Sequence, residues 1–112
     1  MTQPYDWSGF YNVLCQHGPN LLVGVDEGLR EVIKELSTTT DMFWSEGLEA
    51  SLAEGAASGA LHEGVLLALD DWRFNVINQL EASFGISLDW DQVSIDADSP
   101  IIDRLVDAAS PG

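Results

Sequence analysis

The chain has 112 residues, the size of one domain, and it carries 19 Asp and Glu against 4 Lys and Arg, a net charge of −15 at pH 7. Hydrophobic residues make up 46% and the mean hydropathy is +0.03, so the chain has enough apolar surface to fold despite its charge. The shortage of cations argues against direct binding to nucleic acid or to an anionic membrane, because both require Lys and Arg to neutralise phosphate.

A single cysteine excludes an internal disulfide and a cysteine-based zinc site. No apolar run approaches ~18 residues, and the first residues hold no basic targeting segment. We therefore expect one soluble, cytoplasmic, acidic helical domain over residues 1–112.

The first two predicted helices follow from capping residues and apolar spacing. Asp6 is placed to cap a short helix that carries Trp7, Phe10 and Tyr11. A second helix fits residues 19–37, because Pro19 lacks an N–H group that the first turn would leave unpaired anyway. Its apolar side chains recur every three or four positions, as one buried stripe requires: Leu22, Val25, Leu29, Val32, Ile33 and Leu36.

A third, shorter helix is predicted from Met42 to near Gly55 or Gly59, after a polar linker that ends in a capping residue, Asp41. Trp44 falls on its apolar stripe. Small residues fill positions 55–60, where the chain either turns between two helices or lets a neighbouring backbone approach closely. The sequence leaves both alternatives open.

The longest apolar stripe predicts a helix over Leu61–Phe84, and Gly85 follows it as a C-terminal stop. The apolar members step by three and four positions: Leu61, Val65, Leu66, Leu69, Trp72, Val76, Ile77, Leu80 and Phe84. The opposite face carries Glu63, Asp70, Arg73, Asn78 and Glu81.

Beyond Gly85, residues 86–96 alternate apolar and polar side chains, which fits a β-hairpin and an ordered loop equally well. Ser99 and Pro100 then predict the cap and the first turn of a short C-terminal helix. The sequence thus predicts a mainly-α fold, a compact bundle of four to five helices, with a short β element around residues 86–96 left open.

The residues that could carry chemistry do not form a known catalytic or metal-binding pattern. Four aspartates crowd residues 89–98, but Ser94 and Pro100 stand where a calcium loop of the EF-hand type needs glycine and glutamate. Cys15 and His17 are two positions apart, so on a helix they cannot form a nucleophile–base pair. Carboxylate pairs such as Asp70 with its neighbour arise by composition alone among 19 acids. We expect no enzyme, no cofactor and no metal.

Four tryptophans are many for a core of this size. Trp44 and Trp72 fall on predicted helical stripes, so we expect both in the core. Trp90 lies between Asp89 and Asp91 in the least regular segment. There it fits an exposed interface anchor with a charged rim and, equally, a core residue.

One part of the chain resembles the second half of acyl carrier proteins, which are also small, acidic and four-helical. The similar residues are 78–88, with the sequence NQLEASFGISL, and 101–106, with the sequence IIDRLV. That family attaches phosphopantetheine to a serine in an Asp-Ser-Leu motif at the start of the helix. The corresponding stretch here reads Leu69-Asp70-Asp71-Trp72 and has no serine. The resemblance therefore implies a shared helical fold without the carrier chemistry.

Three explanations of the acidity are open. The acidic surface binds a basic partner protein, the acids adapt the chain to salt, or they keep a small non-catalytic interaction subunit soluble. We favour the first: a small acidic inhibitor that blocks a basic, nucleic-acid-handling protein. Immunity proteins against nuclease toxins and phage-encoded antagonists, including DNA mimics, share this size and charge.

The predicted partner-binding residues are acidic side chains of the C-terminal half, grouped around one aromatic residue. They are Asp70, Asp71, Asp89, Trp90, Asp91, Asp96 and Asp98. For the oligomeric state we expect a monomer or a weak homodimer. Pairing would require the apolar N-terminal set Tyr5, Trp7, Phe10 and Tyr11 to be exposed, and a charge of −15 per chain opposes it.

Overall fold

The computed structural model describes residues 6–39, 44–95 and 99–110. These residues form α-helices joined by short loops, and none of them forms a strand, so the mainly-α bundle is confirmed. Two single 3₁₀ turns, Gly18–Leu21 and Trp90–Gln92, lie in the connections. The helices are α1 (Trp7–His17), α2 (Glu27–Thr39), α3 (Glu46–Ala57), α4 (Leu61–Phe84) and α5 (Pro100–Ala109).

Three of the predicted helix ends are confirmed, since each is set by a residue at the end itself. The Asp6 carboxylate accepts a hydrogen bond from the Gly9 backbone N–H at 2.9 Å and so caps α1. Ser99 caps α5, whose first residue is Pro100. Gly85 ends α4 in the left-handed conformation, with φ of 65°, which glycine adopts without steric cost.

The predicted start of the second helix is wrong. Pro19 lies in the 3₁₀ turn, and α2 begins at Glu27. Gly24 turns the chain with φ of 92°, and Asp26 Oδ1 then accepts a hydrogen bond from the Gly28 N–H at 2.9 Å. Proline suits the first turn of a 3₁₀ helix as well as that of an α-helix, so Pro19 alone could not identify α2.

The third helix also begins later than predicted. Ser45, whose Oγ accepts from the Leu48 N–H at 3.1 Å, caps α3. Trp44 therefore precedes the helix, half-buried, instead of lying on its apolar stripe. The predicted Asp41 cap and Met42 lie outside the described residues.

Both alternatives for residues 55–60 hold in part. Gly55 lies inside α3, where its backbone packs directly on that of Gly64 in α4. A Cβ on Gly55 would lie 2.2 Å from the Cα of Gly64, so the crossing tolerates no side chain. The turn between the helices follows at residues 58–60, with Gly59 at φ of 78°.

Residues 85–95 form an ordered loop, not the hairpin that the alternating pattern also allowed. Ile86 and Leu88 pack against the core while Ser87 and Asp89 are exposed. The alternation therefore arises because one side of the loop packs against the helices while the other side faces solvent. No strand forms within residues 85–95. The one backbone pairing of the segment is an isolated bridge between Ser94 and Val23.

The centre of the bundle is α4, which contributes buried side chains along most of its length. Trp72 is 1% exposed, as the sequence predicted for a core tryptophan. Buried side chains of all five helices and of the loops between them complete the core, for example Phe10, Ile33, Leu52, Val93 and Ile102. Among the described residues, no helix combines the length and the apolar run that are needed to cross a bilayer.

Candidate partner-binding surface

The loop of residues 85–95, which holds two of the predicted aspartates, contains an exposed Asx turn. Asp89 and Asp91 are both exposed, and Asp89 Oδ1 accepts a hydrogen bond from the Asp91 backbone N–H at 3.1 Å. The backbone of Trp90, between these two aspartates, begins the 3₁₀ turn Trp90–Gln92. Asp96 and Asp98 lie outside the described residues.

Arg73 joins this loop to α4. Its Nη1 donates a hydrogen bond to the Val93 carbonyl oxygen at 2.8 Å, and its Nη2 contacts Asp70 Oδ1 at 2.6 Å. The Arg73 side chain is 14% exposed, whereas that of Asp70 is 62% exposed. The Arg73 guanidinium thus links Asp70 to the backbone of the loop that carries Asp89 and Asp91.

Two further contacts fix the loop. At its start, Glu81 Oε2 accepts from the Leu88 backbone N–H at 3.1 Å. At its end, Ser94 exchanges backbone hydrogen bonds of 3.1 and 3.2 Å with Val23. Because these contacts lie on both sides of residues 89–91, they restrict the backbone of the segment that carries Asp89 and Asp91.

Asp71 does not belong to this group. Neighbouring residues of an α-helix point about 100° apart, and Asp71 faces the start of α3. Its Oδ2 accepts a hydrogen bond from Ser45 Oγ at 3.3 Å, while the Asn75 amide donates to the same Oγ at 2.9 Å. This network ties α4 to the cap of α3, so the contacts of Asp71 are those of a structural residue.

The sequence analysis missed two apolar side chains beside Asp70. Leu67 is 55% exposed and Phe74 is 50% exposed. They lie three positions before and four positions after Asp70, so all three share one face of α4. The sequence did contain a signal for their exposure. Neither residue belongs to the apolar stripe that predicts the buried side of this helix, so the core does not need either of them.

We use the name acidic face for Leu67, Asp70 and Phe74, which share one side of α4, together with the exposed Asp89 and Asp91 of the loop whose Val93 carbonyl is bound by Arg73 of α4. It combines apolar side chains with carboxylates. Interfaces that bind proteins commonly have this arrangement, with an apolar centre and a polar rim.

The other residues that were considered for catalysis or metal binding do not come together. Cys15 and His17 both lie on α1, where two positions of separation direct their side chains apart. In residues 6–39, 44–95 and 99–110, no three His, Cys, Asp or Glu side chains are grouped closely enough to share a metal ion.

The stretch that corresponds to the serine motif of acyl carrier proteins lies in the interior of α4, not at a helix start, and Trp72 within it is buried. The chain therefore departs from that family in position as well as in residue type. Comparison with known proteins adds no assignment: no family model matches the chain, and neither the curated proteins nor the solved structures include a significant match.

Proposed function

We propose that this protein is a small acidic inhibitor that binds a basic, nucleic-acid-handling protein and blocks it by occlusion. The observation that carries the proposal is the acidic face: two exposed apolar side chains, Leu67 and Phe74, on the same helix face as the exposed Asp70. A solvated charge cluster that served solubility alone would not need large apolar side chains within it.

The two kinds of side chain have different tasks in binding. The net charge of −15 accelerates encounter with a basic surface, and this effect weakens as salt screens it. The apolar pair supplies burial after contact, which is less sensitive to salt. Carboxylates of Asp70, Asp89 and Asp91 would occupy positions in the partner that otherwise hold nucleic-acid phosphates.

The inhibitor acts by occupying space, so the proposal includes no catalytic residue. An immunity protein against a nuclease toxin and a phage-encoded antagonist or DNA mimic would both work in this way. The DNA mimic makes the stricter demand, since its carboxylates must follow the spacing of duplex phosphates and must compete with nucleic acid for the same groove.

The test is affinity capture from a lysate of the native host at low and at high salt, with mass spectrometry of the retained proteins. We expect one basic nuclease or nucleic-acid-binding protein that is retained at low salt and weakened at high salt. The purified partner should then lose nucleic-acid binding or cleavage when this protein is added. If no specific partner is retained at either salt, the proposal is wrong, and acidity as a salt adaptation becomes the better explanation.

Two matched sets of substitutions test the surface. D70N, D89N and D91N together remove three charges from the acidic face while keeping the side-chain shapes. E27Q, E31Q and E54Q remove three charges from exposed positions of α2 and α3. We expect the first set to weaken partner binding at least tenfold more than the second. Equal weakening would mean that only the net charge matters and that the acidic face is not the interface.

A further inference from the structure

A pocket lies between α1 and the start of α3. None of its described lining residues belongs to the acidic face. It is a pocket of about 330 Å³, within the roughly 300–1,000 Å³ range of small-ligand sites. Among the described residues, its lining comprises three aromatic side chains, one carboxylate and two neutral polar groups: Trp7, Tyr11, Trp44, Glu49, Ser8 and Asn12.

The aromatic part of the pocket comes from two segments that meet at Trp44. Trp7 and Tyr11 are four positions apart on α1, so they lie on one face of the helix. The Tyr11 and Trp44 rings meet edge to face, with centroids 5.1 Å apart and planes at 85°. Behind them, Phe10 of the core holds Trp44 at a centroid distance of 6.4 Å. These contacts hold the Tyr11 and Trp44 rings at a large angle to each other at the pocket wall.

The polar part of the pocket selects the charge of the ligand. Glu49 is half-buried in the first turn of α3 and places a carboxylate at the pocket wall. Aromatic faces also attract cations, through the negative potential of the ring. Both features, together with the net charge of −15, disfavour an anion.

The same lining distinguishes between kinds of cation. Calcium and magnesium prefer about six to eight oxygen ligands in a closed shell, whereas half of the lining contributed by the described residues is aromatic and one of these residues is a carboxylate. An alkylated ammonium or a guanidinium group fits better, because its weakly hydrated surface can face the rings while its charge is balanced by Glu49.

We propose that this pocket, lined by Trp7, Tyr11, Trp44 and Glu49, is a binding site for an organic cation, an alkylated ammonium or a guanidinium group. The site goes beyond the inhibitor function and does not depend on the acidic face. The cation is either a free small molecule or a Lys or Arg side chain presented by a protein, and the experiment below separates these sources.

The experiment titrates the full chain with choline and with its uncharged carbon analogue, dimethylbutanol, while NMR follows the tryptophan indole signals. We expect saturable shifts of the Trp7 and Trp44 signals with choline and at least about fivefold weaker binding of the neutral analogue. Trp72 is 1% exposed in the core and serves as an internal reference that should not move. Equal binding of choline and its neutral analogue, or no saturable binding of choline or of the Lys and Arg amides described below, overturns the proposal.

A matched pair of variants tests the role of the carboxylate. E49Q removes the charge at the pocket, and E54Q removes one from an exposed position of the same helix. We expect E49Q to weaken choline binding about fivefold and E54Q to change it less than twofold. Equal effects of the two substitutions would show that the pocket has no specific cation site.

N-acetyl-lysine methylamide and N-acetyl-arginine methylamide identify the source of the cation. Tighter binding of either amide than of choline assigns the pocket to a protein side chain, and tighter binding of choline assigns it to a free alkylated ammonium. Because these probes need no partner protein, the outcome is independent of whether the inhibitor function is correct.

Discussion

Arg73 shows how one side chain can determine the shape of a surface it hardly contributes to. It is mostly buried, yet it holds both an exposed carboxylate, that of Asp70, and the loop carbonyl of Val93. The two contacts differ in energetic weight. A hydrogen bond from a charged donor to a part-buried carbonyl contributes about 1.5–3 kcal/mol, whereas an ion pair with an exposed partner contributes about 0–1 kcal/mol.

We therefore expect R73M to destabilise the protein by about 1–3 kcal/mol, because the Val93 carbonyl loses its donor while the aliphatic volume is kept. D70N should cost less than about 1 kcal/mol. Urea unfolding gives both values, and amide hydrogen exchange should show faster opening of residues 89–95 in R73M. Arg104 is exposed on α5, so R104M is the matched control and should leave stability and exchange nearly unchanged. If D70N lowered the free energy of unfolding as much as R73M does, the hydrogen bond to Val93 would not be the stronger of the two Arg73 contacts.

Alanine substitutions at Gly24 and Gly59 distinguish the energetic cost of backbone strain from that of a steric clash. Both have positive φ, 92° and 78°, but a Cβ on Gly24 would lie 2.0 Å from the Gln92 carbonyl oxygen, whereas one on Gly59 would meet nothing within 4 Å. G59A should cost about 1–2 kcal/mol of unfolding free energy through strain alone. G24A should cost about 1–3 kcal/mol more, because the loop backbone must also move. Thermal or urea unfolding compares the two, and equal losses would mean that the Gly24 contact is not a tight one.

At the scale of elements, the crossing of α3 and α4 depends on the absence of side chains at Gly55 and Gly64. Alanine is favoured over glycine inside a helix by about 1 kcal/mol, but at position 55 the methyl group would collide with the facing backbone. We expect G55A to lower the unfolding free energy by a net of about 1–3 kcal/mol, because the helices must separate.

Gly47 provides the control for this prediction, since it lies on the same helix and is exposed. A methyl group there would meet Asp71 Oδ2 at 2.7 Å, and moving that carboxylate aside costs its 3.3 Å hydrogen bond from Ser45, a loss that the higher helix propensity of alanine offsets. G47A should therefore change stability by no more than about 1 kcal/mol in either direction. Urea unfolding measures both variants, and a stabilised G55A would show that the helices do not cross as closely as described.

Element ends were predictable where one local residue determines them. Asp6, Gly85 and Ser99 act within their own turn, through a hydrogen bond or a backbone angle, so the sequence contains the full cause. Pro19 was misleading because its fixed φ suits two kinds of helix. The alternation of residues 86–95 was ambiguous because an extended chain on a core and a strand in a sheet have the same period.

The candidate site was predictable only in its charge. Clustered aspartates are visible in the sequence, but Asp70 is linked to the loop through Arg73, which binds Val93, 20 positions away along the chain. The different orientation of Asp71 depends in the same way on Ser45, 26 positions away. The exposure of Leu67 and Phe74 depends on how the other elements pack around α4, which the sequence pattern does not specify. Such long-range relations are properties of the packed chain.

The whole molecule carries its charge of −15 on 112 residues, so repulsion between carboxylates works against the compact state. Salt reduces this repulsion because the screening length falls from about 10 Å at 0.1 M to about 3 Å at 1 M. A bundle with a continuous apolar core should nevertheless be folded at low salt, since burial of that core does not require screening.

We expect the protein to be folded at about 0.1 M sodium chloride, with a melting temperature that rises by roughly 5 °C and then levels off before 1 M. Circular dichroism during heating measures this curve. The variant E27Q, E31Q and E54Q, with three fewer charges, should show a smaller rise, because less repulsion remains to be screened. An inhibitor that meets its partner under ordinary ionic conditions must be folded there. If the chain instead unfolds without molar salt and its stability keeps increasing beyond 1 M, the acidity is an adaptation to salt, and the explanation of the charge by a basic partner fails.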